Sequence, residues 1–405
     1  MPVAHEVLQM AGLAVLCATS AYQMLAIAAL LWWGWRRPED GTAPMEAVSV
    51  LKPLCGAEPG LYQQLRSFCV QDHPAYEIVF GIRDATDPAR LTVERLVAEF
   101  PGLALTLVID PQQHGSNLKT SNLINMLHRA QHGIVVISDS DARVGPDYLT
   151  RVTAPLRNPG VGLVTSLYRA IPTPDLWSRL CAMYINEWYM PSVLLARMFG
   201  HRGYVSGQTM CLRRQTLECN GGLEALADHL AEDHRFGECV RELGLEIIIS
   251  SYPVTCTQHE STLHSLLQHE LRWLRTLRAL TPRSFCWLFT TFSLPLGLVG
   301  AGCVLFAGSA PRIDTAAITL LGVVAFARLA LYGLHRQGSV RERLADLWLV
   351  PVRDLLLVWS WARAFASDRV TWGGREYTVD PGGLLRHVPG TGQPRPAANT
   401  EHLLN

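Results

Sequence analysis

Apolar runs without charge occupy both ends of this chain, whereas the middle alternates between short apolar and polar stretches. Residues 11–33 form the first run and are long enough to cross a bilayer as one helix. Arg36 and Arg37 follow directly. Because positive residues favour the cytosolic side of a membrane, this pattern predicts an N-terminus outside and the next segment in the cytosol.

Three more apolar segments lie toward the C-terminus, at about 285–308, 314–334 and 345–366. The first two predict spanning helices, and the glycines of residues 295–302 predict close helix packing. The third contains charged side chains, which are costly inside a bilayer. It therefore predicts a tilted span, a re-entrant element or an interfacial helix.

Strand-like and helix-like patterns alternate along the polar middle. Apolar, often β-branched runs predict strands, and apolar residues every three or four positions predict helices. The predicted strands are 47–54, 76–84, 103–110, 133–141 and, less regularly, 161–169 and 204–214. The predicted helices are 60–71, 89–100 and 117–130. Such alternation predicts an α/β fold with a mostly parallel sheet and helices on both faces.

This organisation predicts four regions. They are an N-terminal transmembrane anchor (1–36), a cytosolic α/β domain (37–281), C-terminal membrane segments of two or three helices (282–369) and a C-terminal tail (370–405). Ligands of open parallel sheets bind outside the carboxyl ends of the strands. The side chains that follow each predicted strand are therefore the candidates for chemistry.

Composition narrows the class of protein. Hydrophobic residues make up 49% of the 405 residues, in agreement with membrane segments. The 35 Lys and Arg side chains balance the 35 Asp and Glu side chains, which leaves no overall basic surface for nucleic acid. The ten cysteines show no paired or metal-binding spacing, so small buried thiols are expected rather than disulfides or zinc.

Acids follow three of the predicted strands: Asp84, Asp110 and the pair Asp139 and Asp141. Two carboxylates in an Asp-x-Asp arrangement can approach one hard cation such as Mg²⁺ or Mn²⁺, directly or through water. Taken alone, solvated turn acids are the commoner explanation. Asp84 begins a turn-like sequence, for which a capping role is the simpler interpretation.

Two helix starts carry further candidates. Glu232 and Asp233 open a helical pattern, where an acid serves either as a cap or as a general base facing a cleft. Lys119 lies in the loop 115–123, whose backbone N–H groups suit either a phosphate or an ordinary capped helix.

The segment 269–278 lies just before the membrane segments and is rich in arginine. Solvated or lipid-facing side chains are the simpler interpretation for Arg275 and Arg278. Arg272 and Trp273 also suit a diphosphate contact and a stacking wall. Histidines recur here every five positions, which does not share one helical face, so a histidine metal cluster is not expected.

The order of these groups is more specific than any one of them. Asp84, Asp139-x-Asp141, Asp233 and Arg272-Trp273 resemble the D, D, D, (Q/R)xxRW series of inverting, membrane-bound family-2-like glycosyltransferases. Local strings resemble the ceramide glucosyltransferase family more closely, over roughly residues 47–380. They include LKPLCG (51–56), RDATDPA (83–89), DSDARVGPDYLT (139–150) and WGGREY (372–377). Within that family they are most similar to the bacterial hopanoid-biosynthesis branch.

The resemblance implies a GT-A-like fold and a role for each matching residue. Asp84 would contact the uridine of the donor, and Asp139 and Asp141 would hold a divalent metal, Mg²⁺ or Mn²⁺, on its diphosphate. Asp233 would be the general base on the acceptor hydroxyl. The remaining donor and acceptor contacts fall to Arg272 and Trp273, with Lys119 as a candidate phosphate ligand. His269 stands where the series has Gln or Arg, so the leaving-group contact of that position is not implied here.

The implied activity is transfer of a sugar from a UDP-sugar to a lipid hydroxyl at the bacterial inner membrane, with several spans and a cytosolic catalytic domain. In the hopanoid branch the donor is UDP-N-acetylglucosamine and the acceptor bacteriohopanetetrol. A ceramide glucosyltransferase using UDP-glucose is one alternative. Others are a processive polysaccharide synthase, disfavoured by few spans with little polar lining, and a non-catalytic sugar-nucleotide-binding protein, disfavoured by the intact acids.

The segment 185–199 is apolar and aromatic with flanking charges. It predicts either an interfacial helix near the mouth of the acceptor site or an ordinary core helix.

Overall fold

The computed structural model of the chain describes residues 2–35, 46–308, 310–335, 340–373 and 375–388. Residues 36–45, which include Arg36 and Arg37, lie outside the described residues, as does the tail beyond 388.

Fifteen α-helices and eleven strands are present in the described residues. The helices are α1 Pro2–Trp35, α2 Leu61–Phe68, α3 Ala89–Glu99, α4 Leu118–Leu127, α5 Tyr148–Thr153, α6 Leu176–Met183, α7 Met190–Met198, α8 Arg214–Glu218, α9 Glu232–Glu242, α10 Leu263–Leu280, α11 Pro282–Cys286, α12 Ser293–Phe306, α13 Pro311–His335, α14 Val340–Ala345 and α15 Leu349–Ala364. The strands are β1 Val48–Pro53, β2 Tyr76–Ile82, β3 Ala104–Ile109, β4 Ile134–Ile137, β5 Ala142–Arg143, β6 Val161–Pro172, β7 Met210–Arg213, β8 Glu246–Gln258, β9 Arg369–Trp372, β10 Arg375–Val379 and β11 Leu385–His387. A π-helical segment, Tyr184–Tyr189, joins α6 to α7.

Eight of these strands form one mixed sheet in the order β3-β2-β1-β4-β7-β6-β8-β5. The first four are parallel to one another, and β6 is parallel to β8, whereas β7 and β5 run antiparallel to their neighbours. Side chains alternate between the faces, so Val48 and Val50 of β1 pack in one core cluster and Leu51 in the other. The predicted fold class, a mostly parallel α/β sheet with flanking helices and added apolar helices, is confirmed.

The carboxyl ends of the parallel strands lie along one edge of the sheet. Ile82 pairs with Ile109, and Leu51 pairs with Ile137, so β2, β3 and β4 end close together. Because β7 is antiparallel to both β4 and β6, the ends of β6 and β8 lie at the same edge. The acids after these strands therefore face a common cleft edge, as the sequence predicts.

Strand β8 is absent from the sequence prediction, although its run Ile247–Ile249 is β-branched. It pairs with β6, and the register shifts between Ser166 and Tyr168, where the three residues Ser251 to Pro253 of β8 stand opposite the single residue Leu167 of β6. A proline cannot donate a ladder hydrogen bond, and an irregularity of this kind accommodates it. Pro253 therefore explains why the sequence does not predict β8, although its β-branched residues are typical of a strand.

Two described helices are long and apolar enough to cross a membrane, Val3–Trp35 and Pro311–Leu334. α1 packs on α12 closely enough that a Cβ placed on Gly12 would meet the carbonyl oxygen of Gly300 at 2.6 Å. The prediction that the glycines near 300 serve helix packing agrees with this contact.

The segment predicted as a span at about 285–308 is bent in the structure. The chain bends by 66° between residues 282–291 and 293–306. Pro295 explains the break, since it has no N–H to donate to Thr291 and its ring clashes with the preceding turn.

The third segment forms α15, a helix of 16 residues whose charges are paired. Arg353 binds Glu270 of α10, with the Nη2–Oε2 distance at 2.9 Å, and both side chains are buried. Arg328 of α13 binds Asp354 at 2.9 Å and Glu187 of the π-helical segment at 2.7 Å. Buried ion pairs thus explain how an apolar segment carries charge, and they join α15 to the sheet domain.

Part of the predicted tail forms a separate antiparallel sheet, β11-β10-β9. Arg275 and Arg278 of α10 donate to backbone oxygens of Arg369 and Ser367, so the interpretation of these two arginines as solvated or lipid-facing is wrong. Guanidinium groups satisfy the carbonyls that lead into β9, which the local sequence alone does not reveal.

Candidate active site

Two loops that are distant in sequence are held against each other beside the sheet edge. Asn117 is the N-cap of α4, and its side chain accepts from the N–H of Thr120 at 2.9 Å. The same side chain donates to the carbonyl of His229 at 2.7 Å, and its backbone N–H donates to that of Ala227 at 2.7 Å. Gly115 is required here, because a Cβ would lie 2.4 Å from the Ala227 oxygen.

The same loop is fixed from its other side by the C-terminal sheet. The N–H of Leu230 donates to Gly383 at 2.9 Å, and the N–H of Leu385 donates to Asp228 at 2.8 Å. The segment that leads into Glu232 and Asp233 is therefore held on two sides before α9 begins.

Asp139 and Asp141 lie just beyond the end of β4. The N–H of Asp139 donates to Gly207 at 3.2 Å, which ends the strand earlier than predicted. The amide of Gln208 donates to Oδ1 of Asp141 at 3.0 Å. Burial raises the pKa of Asp141, and the charge of Asp139 raises it further. Two carboxylates thus share a partly buried position, and the charge of Asp139 disfavours ionisation of Asp141.

Lys119 lies between two acids from different elements. Its Nζ contacts Oδ1 of Asp139 and lies 2.7 Å from Oε1 of Glu232. Although burial opposes it, these two carboxylates raise the pKa of Lys119. The ammonium is therefore charged and joins the end of β4 to the start of α9.

Asp233 lies in the first turn of α9, as predicted, but does not serve as its cap. Its Oδ2 accepts from the backbone N–H of Gly207 at 3.0 Å, and Oδ1 accepts from the N–H of His234 at 2.7 Å. Burial and then the charge of Glu232 raise the pKa of Asp233 to about 7. A carboxyl group with this pKa exchanges protons near neutral pH, which is the property of a general base.

Gly207 allows these groups to converge. A Cβ at this position would lie 2.9 Å from Oδ2 of Asp139 and 2.9 Å from Nζ of Lys119. Its N–H and carbonyl meanwhile hold Asp233 and Asp139. The sequence string VSGQT thus contributes a backbone contact that side-chain motifs do not reveal.

Arg272 and Trp273 lie on α10 beside this cluster. Burial lowers the pKa of Arg272, while Glu232 and Asp139 are close enough to oppose that shift. Trp273 stacks on Tyr184 of the π-helical segment, with ring centroids 5.5 Å apart and planes at 25°. The arginine therefore borders the acids, and the tryptophan borders the segment that packs on the membrane helices.

Asp84 lies at the same sheet edge but is exposed. Its Oδ1 accepts from the N–H and the hydroxyl of Thr86, both at 2.8 Å, and these bonds lower the pKa of Asp84. This is the turn geometry that the local sequence predicts. Its contact with uridine remains a prediction.

Lys52 was not recognised from the sequence. It is fully buried in β1, and Nζ donates to the backbone oxygen of Asp139 and to Oγ of Ser138. Burial lowers the pKa of Lys52 to about 7, partly opposed by Asp141 and Asp139. A lysine inside an apolar strand is a detectable signal, because such a residue is almost never buried without a partner.

The geometry defines an α/β protein with apolar helices and a carboxylate cleft suited to group transfer. The chain belongs to glycosyl transferase family 21, whose sequence profile matches residues 12–385. It is therefore a glycosyltransferase, and the predicted enzyme class is confirmed.

The names of proteins with similar sequences agree with this family assignment. Ceramide glucosyltransferase 1 of Caenorhabditis elegans is 25% identical over 350 residues, covering 86% of this chain and 74% of the relative. Ceramide glucosyltransferase 3 of the same organism is 24% identical, covering 60% of this chain and 53% of the relative. An N-acetylglucosaminyltransferase of Rhizobium meliloti is 26% identical over 178 residues, covering 39% of this chain and 41% of the relative.

Among solved structures, the mannosyltransferase PcManGT of Pyrobaculum calidifontis, in complex with GDP-Man and Mn²⁺, has a TM-score of 0.49. It is 22% identical, with 89% of this chain and 97% of that chain covered. TarS of S. aureus, in complex with UDP-GlcNAc, has a TM-score of 0.38 and 14% identity, with 85% of this chain and 98% of that chain covered.

Proposed function

We propose that this glycosyltransferase is an inverting membrane enzyme that moves a sugar from a UDP-sugar to the hydroxyl of a membrane lipid. The observation that carries the proposal is the convergence of Asp139 and Asp233 on the backbone of Gly207. Asp141 is held by the adjacent Gln208, and Arg272 is close enough to interact with the charge of Asp139. Donor binding, leaving-group stabilisation and proton removal each have a suitable group at this place.

A divalent cation fits the residues present. Asp139 and Asp141 offer hard carboxylate oxygens, and burial together with the charge of Asp139 raises the pKa of Asp141, so a cation beside the pair would favour its ionised form. Gly207 places no side chain beside Oδ2 of Asp139. Asp139 and Asp141 would hold the ion, Mg²⁺ or Mn²⁺, which when bound supplies neutralisation of the donor diphosphate.

The protein groups account for the other steps. Asp233 accepts the proton of the acceptor hydroxyl, because its carboxyl group ionises near neutral pH. Arg272 stabilises the charge that grows on the leaving diphosphate. Lys119 keeps Asp139 and Glu232 in place and can contact a phosphate oxygen. With the base and the leaving group on opposite faces of the sugar, the configuration inverts.

The membrane-facing side of the site suits a lipid acceptor. Tyr184 belongs to a buried cluster that includes Leu357 of α15 and Phe292, the residue before α12, and Trp273 packs against this cluster. We place the catalytic domain on the cytosolic face of a bacterial inner membrane, anchored by α1 and the C-terminal helices. An acceptor can then reach the cleft without leaving the bilayer.

The preferred substrates are UDP-N-acetylglucosamine and bacteriohopanetetrol, within hopanoid biosynthesis. The similarity to an N-acetylglucosaminyltransferase supports the sugar. The local strings support the lipid. A ceramide glucosyltransferase using UDP-glucose is the second candidate, since the two C. elegans relatives carry that name.

The test is transfer by the purified full-length protein with each donor and each lipid, followed by mass spectrometry of the product. We expect one added N-acetylhexosamine on bacteriohopanetetrol and an inverted anomeric centre. Asp233→Asn should retain donor binding and lose transfer. Glucose on ceramide would select the second candidate, and equal transfer by wild type and Asp233→Asn would refute the catalytic assignment.

A further inference from the structure

A histidine–carboxylate pair lies next to the proposed site and has no role in the mechanism above. Nδ1 of His269, on α10, lies 2.7 Å from Oε1 of Glu260. Glu260 follows β8 by two residues and therefore lies at the same sheet edge as Asp139. Both side chains are largely buried, with 26% of His269 and 13% of Glu260 exposed, so the pair is part of the packed interior rather than a surface contact.

The pair faces the membrane side of the cleft. The ring of His269 lies 4.0 Å from that of Trp273, centroid to centroid, and Trp273 stacks on Tyr184. Glu260, Asp139 and Glu232 all act on the guanidinium of Arg272, the residue before Trp273. The imidazole therefore lies between the carboxylates and the aromatic wall that packs on the membrane helices.

The protonation of this pair follows from its surroundings. Burial lowers the pKa of His269, so the ring is neutral at pH 7, and the hydrogen bond from His269 helps to keep Glu260 ionised. A carboxylate only accepts, so the single ring proton resides on Nδ1. Nε2 then has a free lone pair, and no other described residue donates a hydrogen bond to it.

A metal ion is the competing explanation, since Cys181, Glu260 and His269 place one possible ligand atom each within 4.8 Å of the others. Two ligands of a tetrahedral zinc with bonds of about 2.0–2.1 Å lie about 3.3 Å apart. The separation of 2.7 Å between Nδ1 and Oε1 is shorter and is that of a hydrogen bond. The Cys181 thiol instead donates to Oε1 of Gln258 at 3.3 Å.

We propose that His269 binds the lipid acceptor, with Nε2 accepting a hydrogen bond from a hydroxyl group, and that Glu260 is the positioning residue that fixes this tautomer. A diphosphate oxygen cannot donate to Nε2, whereas an alcohol can. The contact of His269 with the aromatic wall that packs on the membrane helices favours the hydroxyl of the lipid over the hydroxyls of the donor. This inference rests on the proposed lipid glycosyltransferase activity and names the group that recognises the acceptor.

The test uses His269→Phe in the full-length protein, which keeps a ring against Trp273 and removes Nε2. His264→Phe is the matched control, because His264 is an exposed histidine of the same helix. Activity is measured with UDP-N-acetylglucosamine and bacteriohopanetetrol, or with UDP-glucose and ceramide, whichever pair wild type uses. The KM for the lipid should rise about tenfold, the value of one hydrogen bond, while the KM for the donor and donor hydrolysis without lipid stay within about twofold.

Glu260→Met is a second variant that nearly preserves size and leaves no unpaired buried charge. It removes both oxygens that could accept from Nδ1 of His269, so the same selective rise in lipid KM is expected. An unchanged lipid KM in both variants of an active enzyme, an equal loss in all parameters, or stoichiometric zinc in the wild-type protein would overturn the inference alone. Wild-type inactivity on both lipids would refute the proposed function as well.

Discussion

Replacing Gly207 by alanine tests the centre of the proposed site without removing any charged group. The new Cβ would lie 2.9 Å from Oδ2 of Asp139 and 2.9 Å from Nζ of Lys119. Ordinary contacts begin near 3.4 Å, so both side-chain ends must move by about half an ångström. They are the far ends of side chains, so folding can absorb the change.

Catalysis depends more steeply on position than folding does. A displacement of about 1 Å in an active site can cost about 10²-fold in rate. For half that displacement at Asp139, we expect kcat/KM to fall by about ten- to a hundredfold, or about 1.4–2.7 kcal/mol of transition-state stabilisation. The free energy of unfolding should change by no more than about 1 kcal/mol.

The assay is transfer of labelled sugar to the lipid by purified Gly207→Ala, with thermal unfolding measured on the same preparation. Gly133→Ala is the control, because a Cβ there meets no atom within 4 Å and the residue precedes β4 at its opposite end. Wild-type kcat/KM in a folded Gly207→Ala protein would refute the claim that Asp139 and Lys119 belong to the site.

Three further outcomes are expected. Burial and the charge of Glu232 raise the pKa of Asp233 to about 7, so acidification protonates the base. We therefore expect kcat/KM to fall about tenfold for each pH unit below pH 7. The same decrease in the pH–rate profile of Asp233→Asn would contradict this assignment. Asp141→Ala should abolish Mn²⁺-dependent binding of UDP in calorimetry, and undiminished binding would remove Asp141 from the proposed metal site. Arg353→Met leaves Glu270 buried without its partner and should destabilise the protein by about 3–5 kcal/mol. Thermal unfolding checks this, and the double variant with Glu270→Gln should recover most of the loss.

The sheet and the acids at its edge could be predicted because their signals are local. Each parallel strand is buried on both faces, so it appears as one apolar run, and its end appears where the first acid follows. Asp84, Asp139 and Asp141 were located by this rule. The helical pattern that begins at Glu232 and Asp233 indicates Asp233 as a candidate, whereas its contact with Gly207 can be seen only in the folded structure.

Lys52 shows why the rest could not be predicted. Within VSVLKP a lysine usually marks the exposed end of a strand, yet here it is fully buried. Its partners, Ser138 and the backbone of Asp139, lie just after strand β4 and more than eighty residues later in the chain. Only the parallel pairing of β1 with β4 brings the carbonyl to the ammonium group, and nothing within the local string specifies that pairing.

The C-terminal strands illustrate the same limit at larger scale. β10 and β11 are short, and their stability depends on partners rather than on their own sequence. Their backbone bonds hold the Asp228–Leu230 loop that precedes Asp233. Residues 383–385 therefore help to position the proposed base, Asp233. The catalytic motifs alone would suggest that the α/β domain positions this residue without help.

The charge of the site is likewise a property of the fold. The chain as a whole has a formal net charge of zero, but the cleft gathers four carboxylates, those of Asp139, Asp141, Glu232 and Asp233, against the cations of Lys52, Lys119 and Arg272. Burial favours the neutral forms of Lys52, Asp141 and Asp233 alike, so the charge of the cleft depends on what is bound there. A divalent ion beside Asp139 and Asp141 would favour their ionised forms and would offset the negative charge of a donor diphosphate. These acids therefore favour binding of the donor together with a metal over binding of the donor alone.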